Sequence, residues 1–307
     1  MKTLTIEAMD GFELGARLYE PDGAPRAQVL IHAATATPQR YYQAFAEHLC
    51  TRGFRVLTYD FRGIGASRRG SLRGFAASMS TWAEQDARAV VRHTHARAPE
   101  LPLLVVGHSF GGQIALALPD EVPIAGALMV GAQSGYWKGF EWPDRGAMWM
   151  LWNVMVPAVT STMGYVPGWM GIGEDLPAGV ARQWARWCLS PGYFLREHPE
   201  YGVRMRSHGG PVMMLSFSDD DYVPLPNARW LLDQLRSARV EHRHLVPEEV
   251  GLDEIGHFGF FRRKNAILWS LANGYFDAVL DGAWKPTRVA DCLQEADIMA
   301  DLHYGRA

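Results

Sequence analysis

The sequence predicts an α/β domain in which a mostly parallel sheet is covered by helices and interrupted by a helical insertion. Strand-like apolar runs alternate with helix-like segments over the first 130 residues and resume after residue 209. Residues 133–208 break this alternation and hold seven of the eleven tryptophans and six of the thirteen methionines. We therefore predict one core domain, residues 1–132 and 209–307, with residues 133–208 as a Trp- and Met-rich helical cap.

The composition limits the class of protein. The chain has 307 residues, 48% of them hydrophobic, which is enough for a sizeable core. A formal net charge of −3 gives no reason to expect nucleic acid or an acidic membrane as a partner. Cys50, Cys188 and Cys292 have neither disulfide nor metal-ligand spacing, which is typical of the reducing cytoplasm. We expect a cytoplasmic protein without a signal peptide, metal or other cofactor.

The first part of the core is predicted to begin with a hairpin. Residues 4–7 and 12–19 flank Asp10-Gly11, a pair that is typical of tight turns between antiparallel strands. Short apolar runs predict buried strands, and helical periodicity predicts the helices between them. The predicted strands are residues 28–32, 54–59, 103–106 and 124–131, and the predicted helices are residues 41–51, 82–96 and 111–118.

The second part of the core repeats the pattern after the insertion. Strands are predicted at residues 211–217 and 240–246, and helices at 227–237 and 260–279. This return to alternation is the reason for treating the middle segment as an insertion into one domain.

The insertion contains a long uncharged stretch, residues 146–173. A membrane-spanning helix is one interpretation. Pro157, Pro167 and five glycines favour instead a lid of short helices over an apolar pocket. A packing layer or a homo-oligomer interface is the remaining alternative.

The stretch GHSFGG places Ser109 at a sharp turn between a predicted strand and a predicted helix. A serine hydroxyl is a weak nucleophile unless it is exposed, held in place and partnered by a base. A strand-to-helix turn provides the exposure and the fixed position, and Gly107 and Gly111 leave room for it. The helix that follows points its free N–H groups at the same place. This pattern is the nucleophile elbow.

Two further stretches extend the pattern into a resemblance to a known family. YDFRGIGAS, from residue 59, and SDDDYVPLPNAR, from residue 218, are similar to two loops of the α/β-hydrolase superfamily. With the elbow and GHFGFF at residue 256, the chain resembles that superfamily, and most of all its serine-aminopeptidase-like branch of predicted serine hydrolases. The resemblance implies the α/β-hydrolase fold. Asp60 and Arg62 in the first loop are expected to be structural rather than catalytic.

The resemblance also implies a catalytic triad in the order serine, acid, base. The superfamily places its base after the last strand, which selects His257 from eleven histidines. Its acid stands four residues before the proline of a Val-Pro pair, which selects Asp220. Asp219 and Asp221 remain alternatives because they adjoin it, and at least one of the three is expected only to form a turn.

A serine nucleophile also needs N–H donors for the oxyanion that forms during acyl transfer. The backbone N–H of Phe110, directly after Ser109, is the first candidate. The second is expected in the loop after His32, which in the superfamily begins His-Gly and here reads HAATAT. The Ala34 N–H is favoured by position, with Ala33 as the alternative.

The predicted function is hydrolysis of a carboxylic ester of an apolar small molecule through an acyl-enzyme on Ser109. Trp149, Trp152, Trp184 and Trp187 of the cap are the candidate substrate contacts, because tryptophan offers large, rigid apolar area. Amide, thioester and acyl-transfer reactions use the same triad and stay open. The rival from another class is a ligand receptor on the same fold.

An aminopeptidase would need an acidic group near the pocket to hold the substrate amine. The sequence offers four candidates in the predicted cap: Glu141, Asp144, Glu174 and Asp175.

Overall fold

An eight-stranded sheet forms the centre of the computed structural model, which describes residues 1–119 and 121–286. The order of its strands is β1-β2-β4-β3-β5-β6-β9-β10. The first two pairings are antiparallel and all the others are parallel, so the predicted α/β-hydrolase fold is confirmed. The strands of this sheet are β1 (Lys2–Glu7), β2 (Glu13–Tyr19), β3 (Ala27–His32), β4 (Phe54–Tyr59), β5 (Leu103–His108), β6 (Gly126–Val130), β9 (Pro211–Phe217) and β10 (Arg239–Leu245).

Helices cover both faces of the sheet and also build the insertion. In the core they are α1 (Gln43–Thr51), α2 (Met79–Thr81), α3 (Arg88–Arg97), α4 (Phe110–Ile114), α9 (Leu225–Leu232), α10 (Gly256–Gly259) and α11 (Trp269–Leu280). In the insertion they are α5 (Asp144–Met150), α6 (Val156–Met163), α7 (Ala178–Cys188) and α8 (Pro199–Ser207), with a short hairpin of β7 (Tyr165–Val166) and β8 (Leu176–Pro177).

Burial explains why the central strands read as continuous apolar runs. Every residue of β3, β5, β6 and β9 is buried, as expected for parallel strands with helices on both faces. The edge strand β1 alternates between exposed and less exposed residues instead. The hairpin that joins β1 to β2 is confirmed, and Gly11 supplies the positive φ of 86° that its turn requires.

The segment predicted as the cap lies in one connection of the sheet. β6 and β9 are hydrogen-bonded neighbours, and residues 131–210 run between them. The uncharged stretch contains α6, part of α5, β7 and two short irregular helical turns. In the described part of the chain, no helix has both the length and the apolar character needed to cross a membrane.

Three predicted helices differ in extent from those observed, and one of them, predicted at residues 227–237, is observed as α9 and ends at Leu232. The helix after Ser109 is the short α4, which gives way to turns after Ile114. The predicted helix 260–279 is divided into a 3₁₀ segment, Arg263–Leu268, and α11. Asn265 in the 3₁₀ segment has non-helical backbone angles, and its side-chain amide donates to the Gly259 carbonyl at 3.2 Å. Cys292 lies outside the described residues.

Candidate active site

Ser109 occupies the turn between β5 and α4 with backbone angles that few residues other than glycine adopt. Its φ is 51° and its ψ is −115°. The Ser109 N–H donates to the Val130 carbonyl of β6 at 2.9 Å, which anchors the turn to the sheet. A Cβ on Gly107 would lie 2.4 Å from Gly112 Cα, and one on Gly111 would lie 2.2 Å from the His32 oxygen. Both glycines are therefore needed for the turn to close.

Asp220 and His257 form a buried hydrogen-bonded pair beside this turn. The His257 Nδ1–H donates to Asp220 Oδ2 at 2.8 Å, and Asp220 Oδ1 accepts the Tyr222 N–H at 2.9 Å. The side chains are 0% exposed for Asp220 and 7% for His257. With its proton on Nδ1, the neutral imidazole keeps a lone pair on Nε2, as a general base requires.

The two neighbouring aspartates have other surroundings. Asp219 Oδ2 accepts the N–H groups of Ile255 at 2.7 Å and Gly256 at 3.0 Å. Asp219 thus fixes the loop that leads into His257, whereas Asp221 is exposed. Among the three candidates, the structure brings Asp220 into contact with His257.

Ser109 and His257 meet at the carboxyl ends of the central strands. The ring of His108, directly before Ser109, lies 5.0 Å from the His257 ring between centroids. A Cβ on Gly131, next to the Val130 that binds Ser109, would lie 3.3 Å from His257 Nδ1. No hydrogen bond joins Ser109 Oγ to His257 in the described residues, and such bonds are often long without substrate. Ser109, His257 and Asp220 nevertheless lie around one crevice at these strand ends.

His108 is a second buried histidine of the crevice, and it bonds both His257 and Tyr42. The sequence did not predict the contact with Tyr42. His108 Nε2 donates to the His257 carbonyl at 2.9 Å. His108 Nδ1 must then accept, and the Tyr42 hydroxyl donates to it at 2.9 Å. Burial and the nearby His257 hold the pKa of His108 well below its ordinary value, so His108 is neutral. Tyr41 and Tyr42 belong to no recognised sequence motif. The contact of Tyr42 with His108 depends on how separate segments pack, so no local pattern predicts it.

Tyr42 also accepts a hydrogen bond from the backbone N–H that was favoured as the oxyanion donor. The Ala34 N–H donates to Tyr42 Oη at 2.8 Å. The expectation that this N–H faces the crevice as a free donor is therefore revised. Phe110, the other expected donor, begins α4 as the residue after Ser109.

Asp60 and Arg62 have the structural roles expected of them. Asp60 Oδ1 accepts the Gln39 N–H at 2.6 Å, and Asp60 Oδ2 accepts the Ala66 N–H at 2.8 Å. Arg62 pairs with Asp10 and with the buried Asp86. These contacts hold loops in place, and none of them indicates a role in catalysis.

An apolar pocket is lined by residues of the segment 133–188 together with Tyr222. No charged side chain lines it among the described residues. Tyr222 in its wall lies 5.1 Å from His257 between ring centroids, so the pocket adjoins the crevice. No set of three or more potential metal ligands is grouped together in residues 1–119 and 121–286.

The four tryptophans expected at the substrate divide into two pairs. Trp152 and Trp184 line the pocket, with ring centroids 4.8 Å apart. Trp149 is 42% exposed and stands outside the pocket wall. Trp187 is buried elsewhere, and its indole N–H donates to Glu197 at 3.1 Å. The expectation is therefore revised for Trp149 and Trp187, because helical rotation turns their rings away from the pocket.

The acidic residues considered for a substrate amine do not line the pocket. Glu174 Oε1 pairs with Arg40 at 2.7 Å, and its Oε2 accepts the Gly65 N–H at 2.8 Å. Asp175 pairs with Arg68 at 3.0 Å. Glu141 and Asp144 are exposed.

Several known proteins are similar to this chain in sequence. A family model described as "Serine aminopeptidase, S33" matches residues 23–169. A monoacylglycerol lipase of Mycolicibacterium smegmatis is 32% identical over 126 residues, 41% of this chain and 44% of the lipase. The chain thus spans less than half of that relative. A non-heme haloperoxidase of Rhodococcus erythropolis is 25% identical over 256 residues, 77% of this chain and 89% of the haloperoxidase.

Solved structures share the fold at low sequence identity. A soluble variant of monoglyceride lipase from Saccharomyces cerevisiae, in complex with a substrate analogue, superposes with a TM-score of 0.64 at 16% identity. That match covers 93% of this chain and 97% of the lipase. A thermostable carboxyl esterase from Bacillus coagulans gives a TM-score of 0.64 at 15% identity, covering 91% and 98%.

Proposed function

Because this chain belongs to the α/β-hydrolase superfamily, we propose that it is a serine hydrolase that cleaves carboxylic esters of apolar small molecules. The observation that carries the proposal is the buried Asp220–His257 pair beside the Ser109 turn, at the edge of an uncharged pocket. The names of several relatives, lipase and esterase, agree with this proposal.

In the proposed reaction, His257 Nε2 takes the Ser109 hydroxyl proton as Ser109 Oγ attacks the ester carbonyl carbon. The imidazolium that forms is stabilised by Asp220, which accepts its Nδ1–H. When the tetrahedral intermediate collapses, the His257 Nε2–H protonates the departing alcohol and the acyl group stays on Ser109. Water, deprotonated by His257, then releases the acid and restores the serine.

The oxyanion is assigned to two backbone donors. The Phe110 N–H is the first, since it follows the nucleophile and opens α4. We assign the second to Ala33, because Tyr42 already accepts the N–H of Ala34. Tyr42 then acts by fixing the turn that presents Ala33.

The pocket favours a neutral ester over a peptide with a free amine. An ammonium group in an apolar pocket pays a large desolvation cost without an acidic partner. Glu174 and Asp175 are engaged by arginines, and no acidic side chain lines the pocket in the described residues. The aminopeptidase alternative is therefore disfavoured, while thioester and acyl-transfer reactions call for direct assay.

The test compares p-nitrophenyl esters, aminoacyl anilides and acyl thioesters on the purified protein, with Ser109→Ala as the control. We expect ester turnover to dominate and to disappear in the variant. A fluorophosphonate probe should label Ser109, as located by peptide mass analysis. Folded protein that resists the probe and turns over none of these substrates would support the ligand-receptor alternative.

A further inference from the structure

Tyr222 contacts the proposed acid, the proposed base and the apolar pocket. Its backbone N–H donates to Asp220 Oδ1 at 2.9 Å. Its ring centroid lies 5.1 Å from that of the His257 imidazole, with an angle of 43° between the ring planes. Its side chain also lines the pocket. An aromatic ring thus lies against a group that gains and loses a proton in the proposed reaction.

We propose that Tyr222 is a positioning residue, and that its ring stabilises the positive charge that His257 acquires during ester hydrolysis. The π electrons of an aromatic ring attract a cation within about 6 Å of the ring centroid, and more strongly where water is excluded. The His257 side chain is only 7% exposed, so little water competes with the ring. The inference rests on the proposed function, because the charge forms when His257 takes the Ser109 proton.

The turn that carries Asp220 also fixes the Tyr222 ring. The Tyr222 N–H bonds the Asp220 side chain, and the Val223 N–H donates to the Asp220 carbonyl at 3.1 Å. Bonds of this kind close a tight turn. The acid and the ring therefore approach His257 from the same turn. Tyr222 is 52% exposed, so its side chain can be replaced without opening a cavity in the core.

Two other rings lie as close to His257, but each makes further contacts around it. The His108 ring is 5.0 Å away, and its Nε2 donates to the His257 carbonyl at 2.9 Å. The Phe258 ring lies 5.1 Å away at 88°, and it also packs against the rings of His108 and Tyr41. Replacing either ring would disturb several contacts at once. Tyr222 is therefore the ring whose effect on the imidazolium can be measured with the fewest other changes.

Three other titratable side chains lie beside His257 or its backbone, and substitution of Tyr222 leaves each of them in place. Asp220 accepts the His257 Nδ1–H at 2.8 Å. Asp219 accepts the N–H of Gly256, the residue before His257. His108 is neutral, because burial and the nearby His257 hold its pKa well below the ordinary value. A change in the proton affinity of His257 in these variants therefore reports the loss of the ring.

The experiment compares Tyr222→Phe, which keeps an aromatic ring, with Tyr222→Leu, which keeps only an apolar side chain. On the best p-nitrophenyl ester, Tyr222→Leu should lower kcat by about three- to fivefold relative to Tyr222→Phe. Without the ring the imidazolium is less favourable, so His257 gives up its proton more readily. The acidic limb of the kcat/KM profile should then move to lower pH by about half a pH unit in Tyr222→Leu and not in Tyr222→Phe.

Two controls separate this effect from general disruption of the site. Trp184→Leu removes an aromatic ring from the same pocket wall, but Trp184 packs on Trp152 and not on His257, so the acidic limb should stay in place. The downfield proton resonance of the His257 Nδ1–H should persist in Tyr222→Leu, because the bond to Asp220 remains. Loss of that resonance would mean that the ring acts by holding the bond to Asp220, and would overturn the proposal.

NMR titration of His257 in the Ser109→Ala background tests the ring contact without any turnover. In that background, Tyr222→Leu should lower the midpoint of the His257 titration by about half a pH unit relative to Tyr222→Phe. If wild type cleaves esters but the titration and the acidic limb are the same in both Tyr222 variants, the proposal about Tyr222 is overturned. If no ester is cleaved but the titration difference is found, the proposed hydrolysis fails and the stabilisation of His257 by Tyr222 stands.

Discussion

The crevice of the core and the pocket of the cap are built in opposite ways. In the crevice, Asp220, His257, His108 and Tyr42 form a chain of directed hydrogen bonds with distances of 2.8–2.9 Å. In the pocket, apolar side chains dominate. The crevice is therefore held by directed hydrogen bonds, and the pocket is formed mainly by apolar packing.

Under the proposed function, the crevice sets the rate of the reaction and the pocket sets which substrate fits. Backbone hydrogen bonds at the ends of β5, β6 and β9 hold the residues of the crevice in a fixed geometry. The proposed acyl transfer requires such a fixed geometry. Apolar packing in the cap tolerates changes of size, and such changes alter which chain fits. The two regions adjoin at Tyr222, which lines the pocket and lies 5.1 Å from His257 between ring centroids. Substitutions should therefore have large effects on rate in the crevice and smaller, substrate-dependent effects in the pocket.

The largest effect is expected at the proposed nucleophile, Ser109, and the proposed base, His257. Ser109→Ala and His257→Ala should each lower kcat by about 10⁴–10⁶, because the proposed mechanism uses the two residues as one unit. The double variant should be little worse than either single variant. Steady-state rates on the best p-nitrophenyl ester measure this. Activity above a tenth of wild type in Ser109→Ala would refute the assignment of the nucleophile.

The three adjacent aspartates should rank by their contacts. Asp220→Asn should lower kcat by about 10⁴, because it disturbs the tautomer of His257. Asp219→Asn should cost roughly tenfold, since its remaining oxygen still accepts a backbone N–H and only the charged part of two bonds is lost. Asp221→Asn is the exposed control and should be close to wild type. A larger loss at Asp219 than at Asp220 would reassign the acid.

The Tyr42 hydroxyl should have an intermediate effect. Tyr42→Phe removes the partner of both Ala34 N–H and His108 Nδ1, and we expect kcat to fall about tenfold with KM nearly unchanged. Thermal unfolding of the same variant shows whether the loss is merely instability, and Tyr41→Phe is the neighbouring control. An increase in kcat would mean that Tyr42 competes with the oxyanion for the Ala34 N–H, and would return Ala34 to the role of donor.

The smallest effect on overall rate is expected in the cap. Trp152→Ala and Trp184→Ala enlarge the pocket, so the preferred ester chain should lengthen while fluorophosphonate labelling of Ser109 persists. Trp149→Ala should leave the chain-length profile unchanged, because this residue stands outside the wall. Profiles over esters of increasing chain length make the comparison. Identical profiles in all three variants would indicate a packing layer or an oligomer interface instead of a substrate pocket.

The sequence by itself determined the fold class and the position of the turn at Ser109. Both depend on local pattern, since apolar alternation predicts strands and helices and the glycines at 107 and 111 flank the serine as in a strand-to-helix turn. The resemblance of the loop after β9 favoured Asp220 as the acid and left Asp219 and Asp221 as alternatives. The sequence also predicts the insertion, because a change in composition is visible without any contact.

Only the tertiary structure shows which of several chemically identical residues makes a given contact. Asp219, Asp220 and Asp221 have the same side chain, and the approach of His257 from 37 residues away distinguishes them. Tyr42 bonds Ala34 and His108 because three separate segments pack at one strand end. Trp152 lines the pocket while Trp187 faces Glu197, although composition treats them alike. These contacts form between segments that are distant in the sequence. The local sequence around each residue therefore does not predict them.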